Sequence, residues 1–458
     1  MRTFSSVLIE LNIIKTLRME VKKDPQLEKL DLSKFCEQSP NPEVKYGLPR
    51  EIKFCYRCCI SNQRPNSAIE FKHNKNSKKK TINFDSDNIC DACRISEMKK
   101  SQIDWDKREY ELNQLCNKFR SINGSYDCIV PGSGGKDSFY ASWILKYKYN
   151  MNPVTITWAP NIYTDWGRKN FDSWIHSGMD NYLMTPSGKS KRLLTRLAVE
   201  NLFHPFQPFI LGQKCLAPKL AIQMKIPLIF YGENEAEYGN PINDNKEAKR
   251  SYDYFSSRSD EDLFIGGESL KSLKTNYGML NSELNPYLPA DVKPLESLKA
   301  EIHYLGYYLN WHPQSAYYFA VEHGGFKASP ERTSGTYSKY ISIDDKIDDF
   351  HYYTTFIKFG IGRATYDASQ EVRSGDLERD EALALIERYD GEFPERWSEE
   401  IFKYLSINKE QYPKASKMFE QPIMDRDYFD HLTDQFRSPH LWKYIDKKWF
   451  LRKTVNSK

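Results

Sequence analysis

Ile129-Val-Pro-Gly-Ser-Gly-Gly-Lys-Asp-Ser138 decides how this chain is read. A short apolar run enters it, Asp127-Cys-Ile-Val130, and a helical pattern over 137–149 leaves it. Strand, glycine-rich loop, helix is the local order of an anion cradle. Gly134 and Gly135 let the backbone come close to an anion and take positive φ. Ser133 and Ser138 add hydroxyl donors, and Lys136 adds a positive charge. The N–H groups that open the helix point at the same spot, where the helix dipole favours an anion. Asp137 has no place in a pure anion site; it fits if Mg²⁺ bridges it to phosphate oxygens. The loop is not a Walker A motif. Asp137 follows Lys136 where Ser or Thr is required, and the glycine spacing differs.

Outward from the loop, short β-rich runs alternate with helical ones. Strands are expected over 127–130, 153–158, 181–185 and 227–231, with helices over 137–149, 169–177 and 191–203. That alternation predicts an α/β fold, a doubly wound parallel sheet with helices on both faces. Ligands on such sheets bind beyond the carboxyl ends of the strands. The residues there become candidates. Trp158 ends the second strand, as an adenine contact or as core. Asp165 and Lys169 stand at a helix start, as substrate contacts or simply as helix-opening residues. Gln213 and Lys214 follow an apolar segment and precede a helix, as substrate or phosphate contacts. Glu233, Asn234, Glu235 and Glu237 follow the fourth strand, as Mg²⁺ or substrate contacts or as a solvated acidic loop. Arg363 lies in Gly360-Ile-Gly-Arg, suited to a carboxylate or phosphate, or to an ion pair on its own helix. His204, His303, His312, His323 and His351 read as structural.

Nine cysteines occur. Cys55-Tyr-Arg-Cys58 and Cys90-Asp-Ala-Cys93 form CxxC…CxxC, which suits a tetrahedral structural Zn²⁺; a Cys₄ set also serves iron–sulfur clusters. Cys59 beside Cys58 leaves the choice of ligand open. Cys36, Cys116, Cys128 and Cys215 read as lone core thiols. Between the pairs, Phe71-Lys-His-Asn-Lys-Asn-Ser-Lys-Lys-Lys80 reads as a solvated loop, with binding to an anionic partner as the alternative.

Net charge is only +4, too mild by itself for a nucleic-acid protein. No run approaches the ~20 apolar residues of a membrane span. Residues 7–14 are interrupted by Glu10 and Asn12, with no small-residue cleavage site after them, so a cytoplasmic protein is expected. The expected organisation is an extension over 1–53, a Cys₄ module with its Lys-rich insert over 54–95, an ATP-binding domain over 104–300 opened by a connecting helix, and a mainly helical substrate or partner region over 301–458.

Ser-Gly-Gly-Lys-Asp-Ser resembles the PP-loop of the HUP-like ATP pyrophosphatases, which split ATP into AMP and pyrophosphate. Further segments make the resemblance narrower. They are Cys-Tyr-Arg-Cys-Cys-Ile from Cys55, Trp158-Ala-Pro-Asn-Ile-Tyr-Thr-Asp-Trp-Gly-Arg-Lys-Asn170, His204-Pro-Phe-Gln-Pro-Phe-Ile-Leu-Gly-Gln-Lys214, Tyr231-Gly-Glu-Asn-Glu-Ala-Glu-Tyr-Gly-Asn240 and Phe359-Gly-Ile-Gly-Arg-Ala-Thr-Tyr-Asp-Ala-Ser-Gln-Glu371. With these, the chain resembles the N-acetyl sugar amidotransferase family (WbpG- and PseA-like enzymes) from about residue 54 to 445. The extension before Cys55 and the Lys-rich insert depart from the family pattern. The resemblance implies adenylation of a sugar's acetamido oxygen, then displacement of AMP by ammonia to give an acetamidino group. Lys136 and Asp137 would be catalytic, with ATP, Mg²⁺ and structural Zn²⁺ as cofactors. No cysteine sits in a Gly-x-Cys-x-Gly elbow, and residue 2 is Arg. Ammonia is therefore expected from separate glutaminase and barrel subunits like those of imidazole glycerol phosphate synthase. Two other readings are a PP-loop tRNA-modifying thiolase, for which Cys215 is the candidate cysteine, and a catalytically dead scaffold.

Overall fold

The computed structural model describes residues 29–242, 247–257, 262–407 and 422–457. The apolar run at 7–14 lies outside them. The Cys₄ module ends in α1 (Asp91–Ser101) and leads into α2 (Trp105–Phe119). Asp104 starts α2 by accepting from the Lys107 N–H at 3.0 Å, which satisfies one of the helix's open donors.

The sheet follows: β1 (Cys128–Pro131), α3 (Lys136–Trp143), β2 (Pro153–Trp158), α4 (Asp165–His176), β3 (Asp180–Met184), α5 (Gly188–Leu202), α6 (Gln207–Met224), β4 (Leu228–Tyr231) and β5 (Glu301–Tyr304). The strands lie in the order β3-β2-β1-β4-β5, all parallel. Ile129 stands opposite Val154 on one side and Ile229 on the other.

Alternation along the strands divides the core. Cys128, Val130, Leu228 and Phe230 pack with Leu112 of α2 and Ala141 of α3. Ile129, Val154, Ile156, Ile229 and Ile302 pack with Ala217 and Ala221 of α6 on the opposite face. Strands buried on both faces read as continuous apolar runs, which is why β1 and β4 were legible.

β5 belongs to the sheet although it falls just past the boundary expected at 300. Beyond it run α7 (Pro313–Gly324), α8 (Asp348–Phe359), α9 (Arg363–Ser374), α10 (Arg379–Tyr389), α11 (Ser398–Leu405) and α12 (Arg426–Phe436). The region ends in an antiparallel hairpin, β6 (Trp442–Ile445) and β7 (Lys448–Leu451). Its turn, Asp446-Lys447, takes positive φ at both residues. This region joins α5 through the largest core, in which Leu193, Leu194 and Leu197 meet Ile347, Phe350, Ile401 and Phe429.

Two expectations need correction. The Lys-rich run is only in part the solvated loop expected: Lys72, Lys75, Lys78 and Lys80 are exposed, but Phe71 is buried in that core, and the Lys79 N–H donates to the Tyr46 carbonyl at 2.7 Å. Cys36 is exposed rather than a core thiol. Among the described residues no helix is long and apolar enough to cross a membrane.

Candidate active site

A cavity of about 750 Å³ opens beyond the carboxyl ends of β1, β4 and β5. One wall is the loop. Gly134 sits at φ +86°, and a Cβ there would come within 2.6 Å of the Phe171 backbone. Only glycine lets this turn lie against α4. Gly135 caps α3 without a side-chain bond, so Lys136 and Asp137 open the helix facing the cavity. The Lys136 Nζ is 2.5 Å from Asp137 Oδ2 and nearly buried. The other Asp137 oxygen is buried with no partner among the described residues. Ser138 Oγ donates to the Gly135 carbonyl at 3.0 Å.

The facing wall comes from the far end of the chain. Ser133 Oγ donates to Asp344, so the loop is bonded directly across the cavity. Asp345 and Asp348 line the same wall. Burial pushes Asp344 up to about 6, with Asp345 and Asp137 adding repulsion and the Ser133 bond opposing it. Burial likewise lifts Asp345 to about 6, against three backbone N–H bonds, and carries Asp348 well above the carboxylate range. On the floor, burial and the nearby Asp137 raise Glu233 to about 7, partly offset by Lys136. Carboxylates gathered on buried walls of one cavity resist ionising together.

Arg363 opens α9, 4% exposed, with Nε 2.9 Å from Asp367 Oδ1 and its guanidinium 4.0 Å over the Tyr352 ring. Burial alone would lower its pKa; Asp367, Tyr352 and Asp348 more than reverse this, so it stays charged. Asp390 caps α9, accepting from the Gly362 and Thr365 N–H groups at 3.1 Å each. Arg64 and Arg373 reach the same end of the cavity.

The remaining candidates scatter. Glu235 lines the cavity but is held by Arg250 at 2.6 Å and Tyr304 at 3.0 Å. Gln213 is exposed at the cavity wall. Asn234 is spent on capping a turn at the Ala236 N–H, and Glu237 pairs with Lys99 at 2.9 Å outside the main cavity. Lys214 lies off the cavity wall, its Nζ 5.8 Å from the centre of the Tyr254 ring. Asp165 and Lys169 are exposed on α4, away from the cavity. Trp158 does not reach it either. Its ring is 3% exposed, set edge-on to Tyr287, and so close to α6 that a Cβ at Gly212 would collide with it.

Asp344, Asp345, Asp348, Arg64 and Arg373 were not singled out from the sequence. The one signal is the run Ser342-Ile-Asp-Asp-Lys-Ile-Asp-Asp349, which reads as an acidic surface until the fold brings it to the loop.

Beside the cavity, Cys55, Cys58, Cys90 and Cys93 converge in a buried group with all four sulfurs within 4.8 Å of one another. Cys55 and Cys93 stand 3.7 Å apart, as do Cys58 and Cys90. Cys59 is left out; burial and the neighbouring Cys58 push its thiol up to about 12. Arg373 Nη1 lies 3.8 Å from Cys58 Sγ, so one guanidinium touches both the cysteine cluster and the cavity.

Residues 334–455 match the family model for the C-terminal domain of LPS biosynthesis protein WbpG-like chains. The C-terminal region of this chain is WbpG-like. It is the WbpG-like region that supplies Asp344, Asp345, Asp348, Arg363 and Arg373 to the cavity. A stretch of 78 residues is 35% identical to an uncharacterized protein, MJ1599, of Methanocaldococcus jannaschii; it covers 17% of this chain and 27% of that protein, so the match spans about a quarter of the relative's length. Among solved structures, U34-tRNA thiolase NcsA from Methanococcus maripaludis with its [4Fe-4S] cluster is 14% identical, with 74% of this chain and 89% of that one covered at a TM-score of 0.25. A likeness at that score says nothing about chemistry.

Proposed function

We propose that this chain is an ATP-dependent, AMP-forming amidotransferase that converts the acetamido group of an N-acetylated sugar to an acetamidino group, in bacterial surface-polysaccharide or nonulosonic-acid biosynthesis. The observation that carries the reading is the meeting, on one cavity, of the Ser-Gly-Gly-Lys-Asp-Ser loop with the carboxylate and arginine wall of the WbpG-like region.

The amide oxygen of the sugar attacks the α-phosphorus of ATP, the bond to the β-phosphate breaks, and pyrophosphate leaves. Ammonia adds to the activated carbon, and the C–O bond breaks with AMP as leaving group. The amide oxygen ends in AMP, and the product carries NH in its place. An amide carbon is a poor electrophile, so the first step exists to replace a hopeless leaving group with a good one. Lys136 and the loop N–H groups steady the charge that develops on pyrophosphate. Ser133 and Ser138 are hydroxyl donors to the same phosphates. Asp137, Glu233 and Asp344 are the residues that would hold Mg²⁺, which neutralises phosphate charge when bound. Arg363 would meet an anionic group of the sugar, and Gln213, at the wall, would be a polar contact. The enclosing walls serve the second step, since water would return the intermediate to the amide.

For the cysteine cluster we favour structural zinc. A single ion about 2.3 Å from each of four sulfurs sets them about 3.8 Å apart, and the observed spacing agrees. A cluster that puts a separate iron behind each sulfur requires wider spacing. Ammonia would come from separate glutaminase and barrel subunits. The thiolase reading needs a reactive cysteine in the cavity. Cys215 lies in the core, hydrogen-bonded to the Tyr287 carbonyl at 3.4 Å, with burial pushing its thiol up to about 12.

The test is release of AMP and pyrophosphate from ATP with a panel of N-acetylated sugars and nonulosonic acids, ammonium chloride as nitrogen source and Lys136→Ala as control. Sugar-dependent AMP, with a product in which NH replaces O by mass, establishes the reaction. AMP without that mass change means adenylation followed by hydrolysis. No AMP with any sugar, but AMP with bulk tRNA and a sulfur donor, overturns the proposal.

A further inference from the structure

The Lys-rich insert builds a cavity of its own, of about 330 Å³, beside the catalytic one. The insert is held in shape. The Asn66 N–H donates to the Lys80 carbonyl at 2.8 Å, the Ile82 N–H to the Arg64 carbonyl at 2.9 Å, and Asn74 bridges to Gly267. Lys72, Lys78, Lys79, Lys80 and Arg250 all line this cavity. Glu235, bonded to Arg250, and Glu70, close to His73 and Lys79, offset part of the charge. Lys72, Lys78 and Lys80 have no carboxylate partner among the described residues. The excess of positive charge therefore stands at the mouth of this cavity, on lysines that are themselves exposed.

The two cavities share a wall. Ser67, Glu235 and Asn240 line both. Ser67 and Asn240 lock together, with the Ser67 N–H donating to Asn240 Oδ1 and Asn240 Nδ2 donating to Ser67 Oγ, both at 2.9 Å. An anion in the small cavity thus lies one residue layer from the larger cavity that the phosphate loop also lines. Several cations around one concavity suit an anion that carries several charges on adjacent groups, rather than a lone carboxylate.

We propose that the insert cavity is a second anion site, built for a diphosphate group. The site itself stands on the cavity; its use rests on the adenylation reading. There it would draw off the pyrophosphate that each turnover leaves at the loop, or hold a diphosphate carried by another ligand.

Calorimetric titration of the full chain with inorganic pyrophosphate tests this without turnover. Lys78→Glu/Lys80→Glu exchanges two exposed side chains that pair with no carboxylate, so the fold is kept. Two binding events are expected in the wild type. Lys78→Glu/Lys80→Glu should weaken one by about tenfold or more, and Lys136→Ala should remove the other. A parallel titration with a nucleoside diphosphate separates the sources: the same insert-dependent loss with tighter binding identifies a carried diphosphate, and weaker binding identifies free pyrophosphate. Pyrophosphate binding that Lys78→Glu/Lys80→Glu leaves unchanged overturns the site. So does equal displacement by sulfate at matched ionic strength, which would reduce the cavity to a generally positive surface. A single, Lys136-independent binding event in the wild type would sink the adenylation reading and leave the insert site standing.

Discussion

The two walls of the large cavity are made in opposite ways. The loop wall is six consecutive residues between a strand and a helix, and its geometry is local: Gly134 at φ +86° against α4, Gly135 at the head of α3. The opposite wall, Asp344, Asp345, Asp348 and Arg363, is gathered from a loop and two helix starts some two hundred residues on. It is held by packing, chiefly Ile347 and Phe350 in the core with α5. The loop wall is cationic and donor-rich, and the far wall is dominated by carboxylates. A site for a phosphate with its cation needs both, and neither wall suffices. The difference teaches that the loop half of this cavity, Asp137 included, is encoded in sequence order, and the carboxylate wall of Asp344, Asp345 and Asp348 in tertiary structure.

The largest effect should come from what fastens the walls together. The cysteine cluster touches the cavity through Arg373. Structural zinc of this kind contributes on the order of 10 kcal/mol of apparent binding free energy that is also folding free energy. Purified protein should carry one zinc per chain by elemental analysis, and strong chelation should lower Tm steeply and abolish sugar-dependent AMP release. A metal-free preparation with unchanged Tm would refute a structural ion. Next comes the loop wall itself. Lys136→Ala should cut AMP formation by about 10²–10³-fold, the usual cost of losing one charged stabiliser of a developing anion, with Tm little changed or raised. A loss confined to KM for ATP would show that Lys136 serves binding alone.

The far wall should behave differently. Asp344 has a folded pKa of about 6 against a carboxylate's ordinary value near 3.8, so the folded state holds its proton longer. Stability from this group is present at low pH and is lost as pH rises through 6. Its ionisation at pH 7 costs roughly 3 kcal/mol in the absence of a cation. Asp344→Asn should therefore raise Tm at pH 7 and above, do little at pH 4, and still lower AMP formation about tenfold or more. Mg²⁺ should raise the Tm of the wild type at pH 7 more than that of the variant. In the wild type AMP formation should fall as pH drops below about 7, where Glu233 also takes its proton. Equal Tm gains from Mg²⁺ in both proteins would remove Asp344 from the cation site.

Legibility followed the same division. β1, β2 and β4 were readable because strands covered on both faces are apolar throughout, and Gly134 because a turn that close to a helix tolerates nothing else. β5 was missed because Glu301-Ile-His-Tyr304 alternates polar with apolar at the sheet's edge. The final hairpin was missed because Asp446-Lys447 lacks the glycine that usually marks such a turn. The four clustered cysteines were readable as spacing, since their order in the chain survives folding. Trp158 stands where a ligand edge was expected, yet the close approach of Gly212 on α6 draws its ring into the core. No pattern in 342–349 separates an acidic surface from a buried carboxylate wall.

The smallest effect is the most discriminating test of this division. Asp165 and Lys169 were expected at the site because they follow β2 and open a helix, as the loop residues follow β1. Their helix starts differently. Thr164 caps α4 through the Gly167 N–H at 2.9 Å, so the donors that α3 presents to its cavity are here partly used. Lys169 turns outward over the Trp166 ring at 4.4 Å. Asp165→Ala and Lys169→Ala should each change stability by less than about 0.5 kcal/mol, as exposed substitutions do, and leave KM for ATP and sugar within about twofold. A tenfold rise in either KM would mean that α4 moves toward the cavity when substrate binds. The contrast between a local and an assembled wall would then fail, because part of the second wall would come from the helix next to the loop.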